Sequence, residues 1–210
     1  MKGFGDLLAG YRRFQDKRVT GATAQWRELA EGQAPRAIII ACSDSRVDPA
    51  TIFDTDPGEI FVVRNVANLV PPFEAGGGLH GVSAALEFAV TQLGTPEVMV
   101  MGHERCGGIK AALTGAFAGA KAGEGGFIDR WMGQIEGAAG TIADLHGTDD
   151  QAARLLEEAA IRQSLANLRT FPFVAERELA GTLKLVGCHF SISEGTLYLL
   201  DERENRFSPA

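Results

Sequence analysis

Two hydrophobic patterns alternate along the chain and predict two kinds of structural element. Continuous apolar runs occur in "RAIIIAC" (36–42), "EIFVVRN" (59–65) and "EVMVMGH" (97–103). Runs of this kind are typical of strands that are buried on both faces, as in a parallel sheet. Between the second and third runs, residues 82–94 carry apolar positions at helical spacing, and this predicted helix ends at Gly94.

The remainder of the chain repeats the alternation and then changes it. Residues 127–169 predict two helices separated by "HGTDD" (146–150), whereas "TLKLVGCHFSISEGTLYLLDE" (182–202) predicts a hairpin that turns at "SEG". Strands that alternate with helices predict an α/β fold. We therefore expect an open, mostly parallel central sheet flanked by helices, with an antiparallel hairpin at its C-terminal end.

The first thirty residues have a different character. Residues 6–30 predict helices with apolar faces, interrupted near Thr20-Gly21, and we interpret residues 1–30 as a helical arm. A chain of 210 residues is long enough for one well-filled core. Because no repeat or linker divides the sequence, we predict that residues 1–210 form a single domain.

Composition and charge exclude several classes of function. The formal net charge of −7 argues against a nucleic-acid surface, which requires a basic face. The longest apolar runs are too short to cross a bilayer, and the first residues lack the apolar core of an export signal. Three cysteines are an odd number, which favours reduced thiols. These features predict a cytoplasmic protein that acts on a small molecule.

Reactive side chains follow two of the predicted strands. Cys42, Asp44 and Arg46 come at the end of the first strand, and His103 and Cys106 at the end of the third. Carboxyl ends of neighbouring parallel strands meet at one edge of a sheet, where ligands bind. Two cysteines and one histidine form a ligand set that zinc accepts with a fourth position open. The spacing leaves two alternatives open: buried cysteines that only fill the core, and a structural ion pair between the acid and the arginine.

Several motifs together resemble those of one enzyme family. "CSDSRV" (42–47) and "GHERCGG" (102–108) resemble the signature pair of the β-class carbonic anhydrases, and "DPGEIFVVRNVANLVPP" (56–72) and "ALEFAV" (85–90) extend the resemblance. The plant-type branch of the family is the most similar. The resemblance implies a zinc lyase in which a zinc-bound hydroxide converts carbon dioxide reversibly to bicarbonate and a proton.

The resemblance also implies roles for individual residues. It makes Cys42, His103 and Cys106 the ligands of one zinc ion per chain, and Asp44 and Arg46 the catalytic dyad that orients the hydroxide.

For the substrate pocket, the resemblance implies a further set of residues. They are Gln33, Phe61, Val66 and Phe88. Phe88 stands where many plant-type members have a tyrosine, so this chain lacks the hydroxyl group that they offer there.

One branch of the family places the dyad aspartate on the metal and closes the site. A tryptophan three residues before the first zinc cysteine marks that branch, and this chain has Ile39 there. We therefore expect the open form, in which Asp44 faces water and is not a metal ligand.

The resemblance implies a homodimer or a dimer-based tetramer, with the helical arm embracing a partner subunit. Three other functions remain open at this point. They are a hydrolase of a carbon dioxide analogue such as CS₂ on the same scaffold, a zinc-binding protein without turnover, and a redox protein in which Cys42 and Cys106 form a disulfide.

Overall fold

A six-stranded sheet is the centre of the computed structural model, which describes residues 3–21, 23–76, 78–117, 119, 123–124 and 126–210. The strand order is β2-β1-β3-β4-β5-β6. Strands β1 to β4 are parallel, and β5 and β6 are antiparallel to their neighbours. This confirms the predicted open, mostly parallel sheet and the C-terminal hairpin. The strands are β1 (Ala37–Cys42), β2 (Ile60–Asn65), β3 (Glu97–His103), β4 (Lys184–Ser191), β5 (Thr196–Asp201) and β6 (Arg206–Pro209).

Helices connect the strands and flank the sheet. The helix predicted from residue 82 onwards begins as an α-helix and continues as a π turn at Phe88–Gln92. Among the described helices, none combines the length and apolarity needed to cross a membrane. The α-helices of the described residues are α1 (Phe4–Gly21), α2 (Thr23–Glu31), α3 (Pro49–Ile52), α4 (Gly81–Glu87), α5 (Gly107–Leu113), α6 (Gly126–Met132), α7 (Glu136–His146), α8 (Asp150–Leu168) and α9 (Pro172–Leu179).

The chain forms two units, residues 1–34 and residues 35–210. The first unit contains α1 and α2, and the break between them agrees with the interruption predicted near residues 20–21. Within this unit the rings of Phe14 and Trp26 meet edge to face, with their centroids 5.4 Å apart. Met1, Lys2 and Ala22 of the predicted arm lie outside the described residues. The single domain and the contact of the arm with a partner stay predictions.

Strand β1 is buried along its whole length because both of its faces are covered. Ile38 and Ile40 belong to a large apolar cluster that includes Ile161 of α8. Ile39 and Ala41 belong to a smaller cluster with residues of β3 and β4. Full burial of an isoleucine side chain contributes about 1.5–3 kcal/mol to stability, so this strand is a main contributor to the core.

Helix α8 packs directly on the backbone of β3 and β4 because two glycines leave room for it. A Cβ atom on Gly102 would lie 2.7 Å from Cδ1 of Ile161, and one on Gly187 would lie 2.9 Å from Cδ1 of Leu165. Both distances are shorter than any real contact of a Cβ atom. The two glycines therefore fix the height of α8 above the sheet.

Substituting Gly187→Ala is expected to lower the free energy of unfolding by about 1–3 kcal/mol, because α8 must move or its side chains must leave their preferred rotamers. Chemical denaturation of the purified protein measures this change. Gly140→Ala on α7 is the matched control, since a Cβ atom there meets nothing within 4 Å. Equal stabilities of the Gly187 variant and the wild type would contradict the close packing.

The order of the strands determines where a site can form. From β1 the chain moves outwards to β2 and then returns to place β3 on the other side of β1. Open α/β sheets bind ligands at such a reversal, beyond the carboxyl ends of the strands. Ala41 pairs with Met101, so Cys42 and His103 end two adjacent strands at the same edge.

Candidate metal centre

Three potential ligands meet at this edge of the sheet. Cys42 ends β1, His103 ends β3, and Cys106 immediately precedes α5. Their ligand atoms all lie within 4.8 Å of one another, and the three residues are buried. The Sγ atoms of Cys42 and Cys106 are 3.9 Å apart, and both thiols are free. The structure thus brings together the three residues that the sequence predicts as zinc ligands.

One of the two ring nitrogens of His103 is left available for a ligand. Its Nδ1 lies 2.9 Å from the carbonyl oxygen of Glu104 and donates a hydrogen bond to it. The Nε2 atom therefore carries the lone pair. It is buried and has no hydrogen-bond partner among the described residues. Because burial of an unpaired polar atom is costly, this nitrogen indicates that a cation belongs beside it.

The two thiols form a coupled pair. A hydrogen bond from the Cys106 thiol lowers the pKa of Cys42, assisted by backbone N–H groups of Asp44 and Ala67. The same contact, together with burial, raises the pKa of Cys106, although the N–H of Gly108 opposes the increase. The two thiols therefore share a hydrogen bond in which Cys106 donates and Cys42 accepts. A set of two thiolates and one imidazole fits zinc with one coordination position left for solvent.

Asp44 and Arg46 form a bidentate ion pair beside the ligands. Nε and Nη2 of Arg46 donate to Oδ1 and Oδ2 of Asp44 over 2.9 and 2.6 Å. The guanidinium holds the pKa of the Asp44 carboxyl well below its usual range. Oδ2 of Asp44 lies 4.0 Å from Nε2 of His103. Nη2 of Arg46 also donates to the carbonyl oxygen of Arg105. This bond connects the dyad to the segment that carries His103 and Cys106.

Arg64 of β2 shapes the loop that carries the dyad. Its Nε donates to the carbonyl oxygen of Cys42 over 2.9 Å, and its Nη2 donates to that of Asp44 over 2.6 Å. Its Nη1 lies 3.1 Å from Oδ2 of Asp48. The planar guanidinium of Arg64 thus binds two carbonyl groups of the loop and fixes their orientation.

The structure brings one predicted pocket residue close to the ligands. A Cβ atom on Gly108 would lie 2.7 Å from Cγ1 of Val66, so Val66 packs against the first turn of α5, directly after Cys106. The Val66 carbonyl accepts a hydrogen bond of 2.8 Å from Nε1 of Trp131, which fixes the backbone at this point.

Two other predicted pocket residues form a pair elsewhere on the sheet. The ring centroids of Phe61 and Phe88 are 6.1 Å apart. Phe61 pairs with Ile38, four residues before Cys42, so it lies about 13 Å along the strand from the ligand edge. Gln33 is exposed and belongs to the first unit. The pocket roles of these three residues stay predictions.

One residue at the centre is absent from the residues predicted above. Glu157 of α8 accepts a hydrogen bond of 3.0 Å from the backbone N–H of Cys106, although 51 residues separate the two. Its neighbour Glu158 is the same residue type but forms ion pairs with arginines of its own helix. Helical spacing places Glu157 on the buried face of α8 with Ala153 and Ile161, but the spacing does not show that this face meets Cys106.

Comparison with known sequences gives one family. The sequence profile described as carbonic anhydrase matches residues 37–197. A carbonic anhydrase of Pseudomonas aeruginosa is 38% identical over 206 residues, which cover 96% of this chain and 90% of that protein.

Comparison with solved structures agrees with the sequences. The β-carbonic anhydrase CcaA superimposes with a TM-score of 0.91 at 29% identity, over 99% of this chain and 92% of that one. A tetrameric β-carbonic anhydrase of the ascomycete Sordaria macrospora gives a TM-score of 0.79 at 26% identity, over 94% and 96% of the two chains. With the profile, the relative and the fold in agreement, this chain belongs to the β class of the carbonic anhydrase family.

Proposed function

We propose that this protein hydrates carbon dioxide reversibly with one zinc ion held by Cys42, His103 and Cys106. The observation that carries the proposal is the buried Nε2 atom of His103, which lies within 4.8 Å of two thiols and has no hydrogen-bond partner in the described part of the chain. Zinc bound at such a site lowers the pKa of a water molecule to about 7 and so supplies a nucleophile near neutral pH.

Asp44 is proposed to orient that nucleophile. Its carboxylate, kept ionised by Arg46, accepts a hydrogen bond from the attacking oxygen and directs a lone pair towards the substrate. The backbone N–H of Arg46 also donates to Oδ1 of Asp44 over 2.9 Å. Three donors on one carboxylate prevent it from rotating towards the metal ligands, which supports the open form.

Apolar side chains are proposed to hold carbon dioxide, which has no net dipole. Val66 is the nearest candidate in the same chain. Phe61 lies far along β2 from the ligand edge of its own sheet, and Phe88, whose ring contacts that of Phe61, is 46% exposed. We therefore assign both aromatic rings to the pocket of a second copy of the chain, with the Gln33 amide donating to the developing oxyanion.

This arrangement requires an oligomer. We propose a homodimer or a dimer-based tetramer, and the similarity to a tetrameric relative supports it. A cytoplasmic location is part of the same proposal, because the three cysteines are free and buried and reduced thiols persist in that compartment.

Zinc dependence provides the direct test. Freshly purified protein is expected to contain one zinc per chain and to accelerate carbon dioxide hydration in a stopped-flow assay. Removal of the metal with a chelator should reduce the rate to the uncatalysed background, and added zinc should restore it. One zinc per chain without hydration would contradict the enzyme proposal, and hydrolysis of CS₂ by the same sample would identify the related hydrolase instead.

A further inference from the structure

A buried chain of polar side chains leads away from the Cys106 segment into the protein. Glu157 is 3% exposed and His189 of β4 is fully buried. Oε1 of Glu157 accepts the backbone N–H of Cys106 over 3.0 Å, and Oε2 lies 2.9 Å from Nε2 of His189. On the other side of the imidazole, Nη1 of Arg154 lies 2.7 Å from Nδ1 of His189.

Hydrogen-bonding capacity fixes the direction of each bond in this chain. An arginine side chain has donors only, so Nδ1 of His189 must accept from Arg154. The imidazole proton is then on Nε2, which donates to Oε2 of Glu157. Both oxygens of the glutamate therefore accept, one from the imidazole and one from the Cys106 backbone.

Arg154 is held in place by partners of its own. Its Nε donates to Oε1 of Glu158 over 2.8 Å, and its guanidinium lies 5.1 Å from the centre of the Tyr198 ring. The cation at the outer end of the chain thus has a defined position. The order is Arg154, His189, Glu157 and then the backbone of Cys106.

The backbone N–H of Cys106 depends on this chain for its partner. Cys106 precedes α5 in an extended conformation, φ −67° and ψ 122°. Its thiol faces Cys42. Its carbonyl accepts the Lys110 N–H over 3.0 Å and its own N–H donates to Glu157, so the two backbone groups together hold the residue at the angle that directs its sulfur to the centre.

We propose that Glu157 is a positioning residue for the metal centre, acting through the backbone N–H of Cys106 and oriented by the His189–Arg154 pair. This inference rests on the proposed zinc site. A carboxylate is required because an amide of the same shape offers only one accepting oxygen. With a glutamine, the NH₂ group would point either at the Cys106 N–H or at the Nε2–H of His189. Both of these groups are donors, so one hydrogen bond would be lost.

Glu157→Gln is the first test, with zinc affinity as the measured quantity. Competition with a chromophoric chelator is expected to give zinc binding about 10–100-fold weaker than in the wild type, the usual effect of losing an outer-shell partner. In the cobalt-substituted protein, the thiolate-to-cobalt absorption bands are expected to shift. Far-UV circular dichroism at the assay temperature shows whether the variant is folded.

Glu178→Gln is the matched control. Glu178 of α9 also pairs with an arginine, Arg169, at 2.8 Å, and the substitution removes the same charge. This variant is expected to keep the zinc affinity and the cobalt spectrum of the wild type.

A second substitution distinguishes positioning from a general loss of packing. In the Glu157→Gln variant, the introduced amide can donate to His189 only if the imidazole proton moves to Nδ1, where it opposes the Arg154 donor. Arg154→Met removes that opposing donor, so the double variant is expected to bind zinc more tightly than Glu157→Gln alone. Weaker zinc binding by the double variant than by Glu157→Gln would contradict the proposed hydrogen-bond chain from Arg154 to Cys106.

The wild type itself offers a measurement that does not depend on folding of a variant. Nitrogen-15 NMR of the zinc-loaded protein is expected to show the His189 proton on Nε2, and a proton on Nδ1 would overturn the inference. A wild type that binds no zinc would refute the proposed function. A wild type that binds zinc, beside a Glu157→Gln variant with the same affinity and cobalt spectrum, would refute only this inference.

Discussion

Replacing His103 with alanine is expected to abolish zinc binding and carbon dioxide hydration together. The imidazole is the only nitrogen among the three ligands, and its ring is anchored through Nδ1 to the Glu104 carbonyl. Because the side chain is 1% exposed, no other group can take its place without rearranging the core. Metal analysis after gel filtration and a stopped-flow assay measure the two losses, and circular dichroism verifies the fold.

His146→Ala is the control for this experiment. His146 ends α7 and is exposed, so its removal tests the loss of a histidine without loss of a ligand. This variant is expected to retain one zinc per chain and the wild-type rate. A His103 variant that kept both would show that the metal is held by other residues.

Asp44→Asn is expected to leave zinc in place but to lower kcat by a factor of about 10² or more, the usual effect of removing a positioned proton acceptor. In asparagine an NH₂ group replaces one carboxylate oxygen. This group donates hydrogen bonds and accepts none, so a single oxygen would have to serve both Arg46 and the nucleophile. Metal content and the steady-state rate are measured on the same sample. If the zinc were lost with the substitution, Asp44 would be a ligand, and the open site expected from Ile39 would be wrong.

Asp48→Asn serves as the neighbouring control. Asp48 caps α3 by accepting from the Thr51 backbone N–H, and asparagine caps a helix equally well. The substitution removes an ion pair with the half-buried Arg64. Asp48 itself is 48% exposed, and pairs open to solvent contribute only about 0–1 kcal/mol. The rate is expected to stay close to that of the wild type.

The elements that the sequence predicts well are those whose pattern is local. Strands β1 and β3 have continuous apolar runs because they are covered on both faces. β2 has a similar run and is predicted equally well, although it is an edge strand whose residues are only partly buried. Helix α3 is only one turn, too short to show a period, and β6 is a four-residue edge strand that contains a proline. The π turn after α4 lies inside the predicted helix and covers five residues, too few to show a period of their own.

The residues of the candidate centre also divide into those that local sequence predicts and those that depend on packing. Its ligands and dyad lie within a few residues of two strand ends, so spacing and resemblance both indicated them. Glu157 reaches the centre only because α8 lies at a particular height and rotation over β3 and β4, which Gly102 and Gly187 permit. That rotation is a property of packing between distant segments. Helical spacing puts Glu157 on the buried face of α8, but the sequence does not say which distant segment that face meets.

The contacts of Arg64 have a consequence for any attempt to transplant this centre. The motif "CSDSR" does not encode its own shape, because the carbonyl groups of Cys42 and Asp44 are held by a residue of the adjacent strand. The backbone N–H of Ser43 is likewise bonded to the Asn65 carbonyl over 2.7 Å. The smallest portable unit for this loop is therefore the pair of strands that carries it. A graft of the motif alone would transfer Cys42, Asp44 and Arg46 without the contacts that set their orientation.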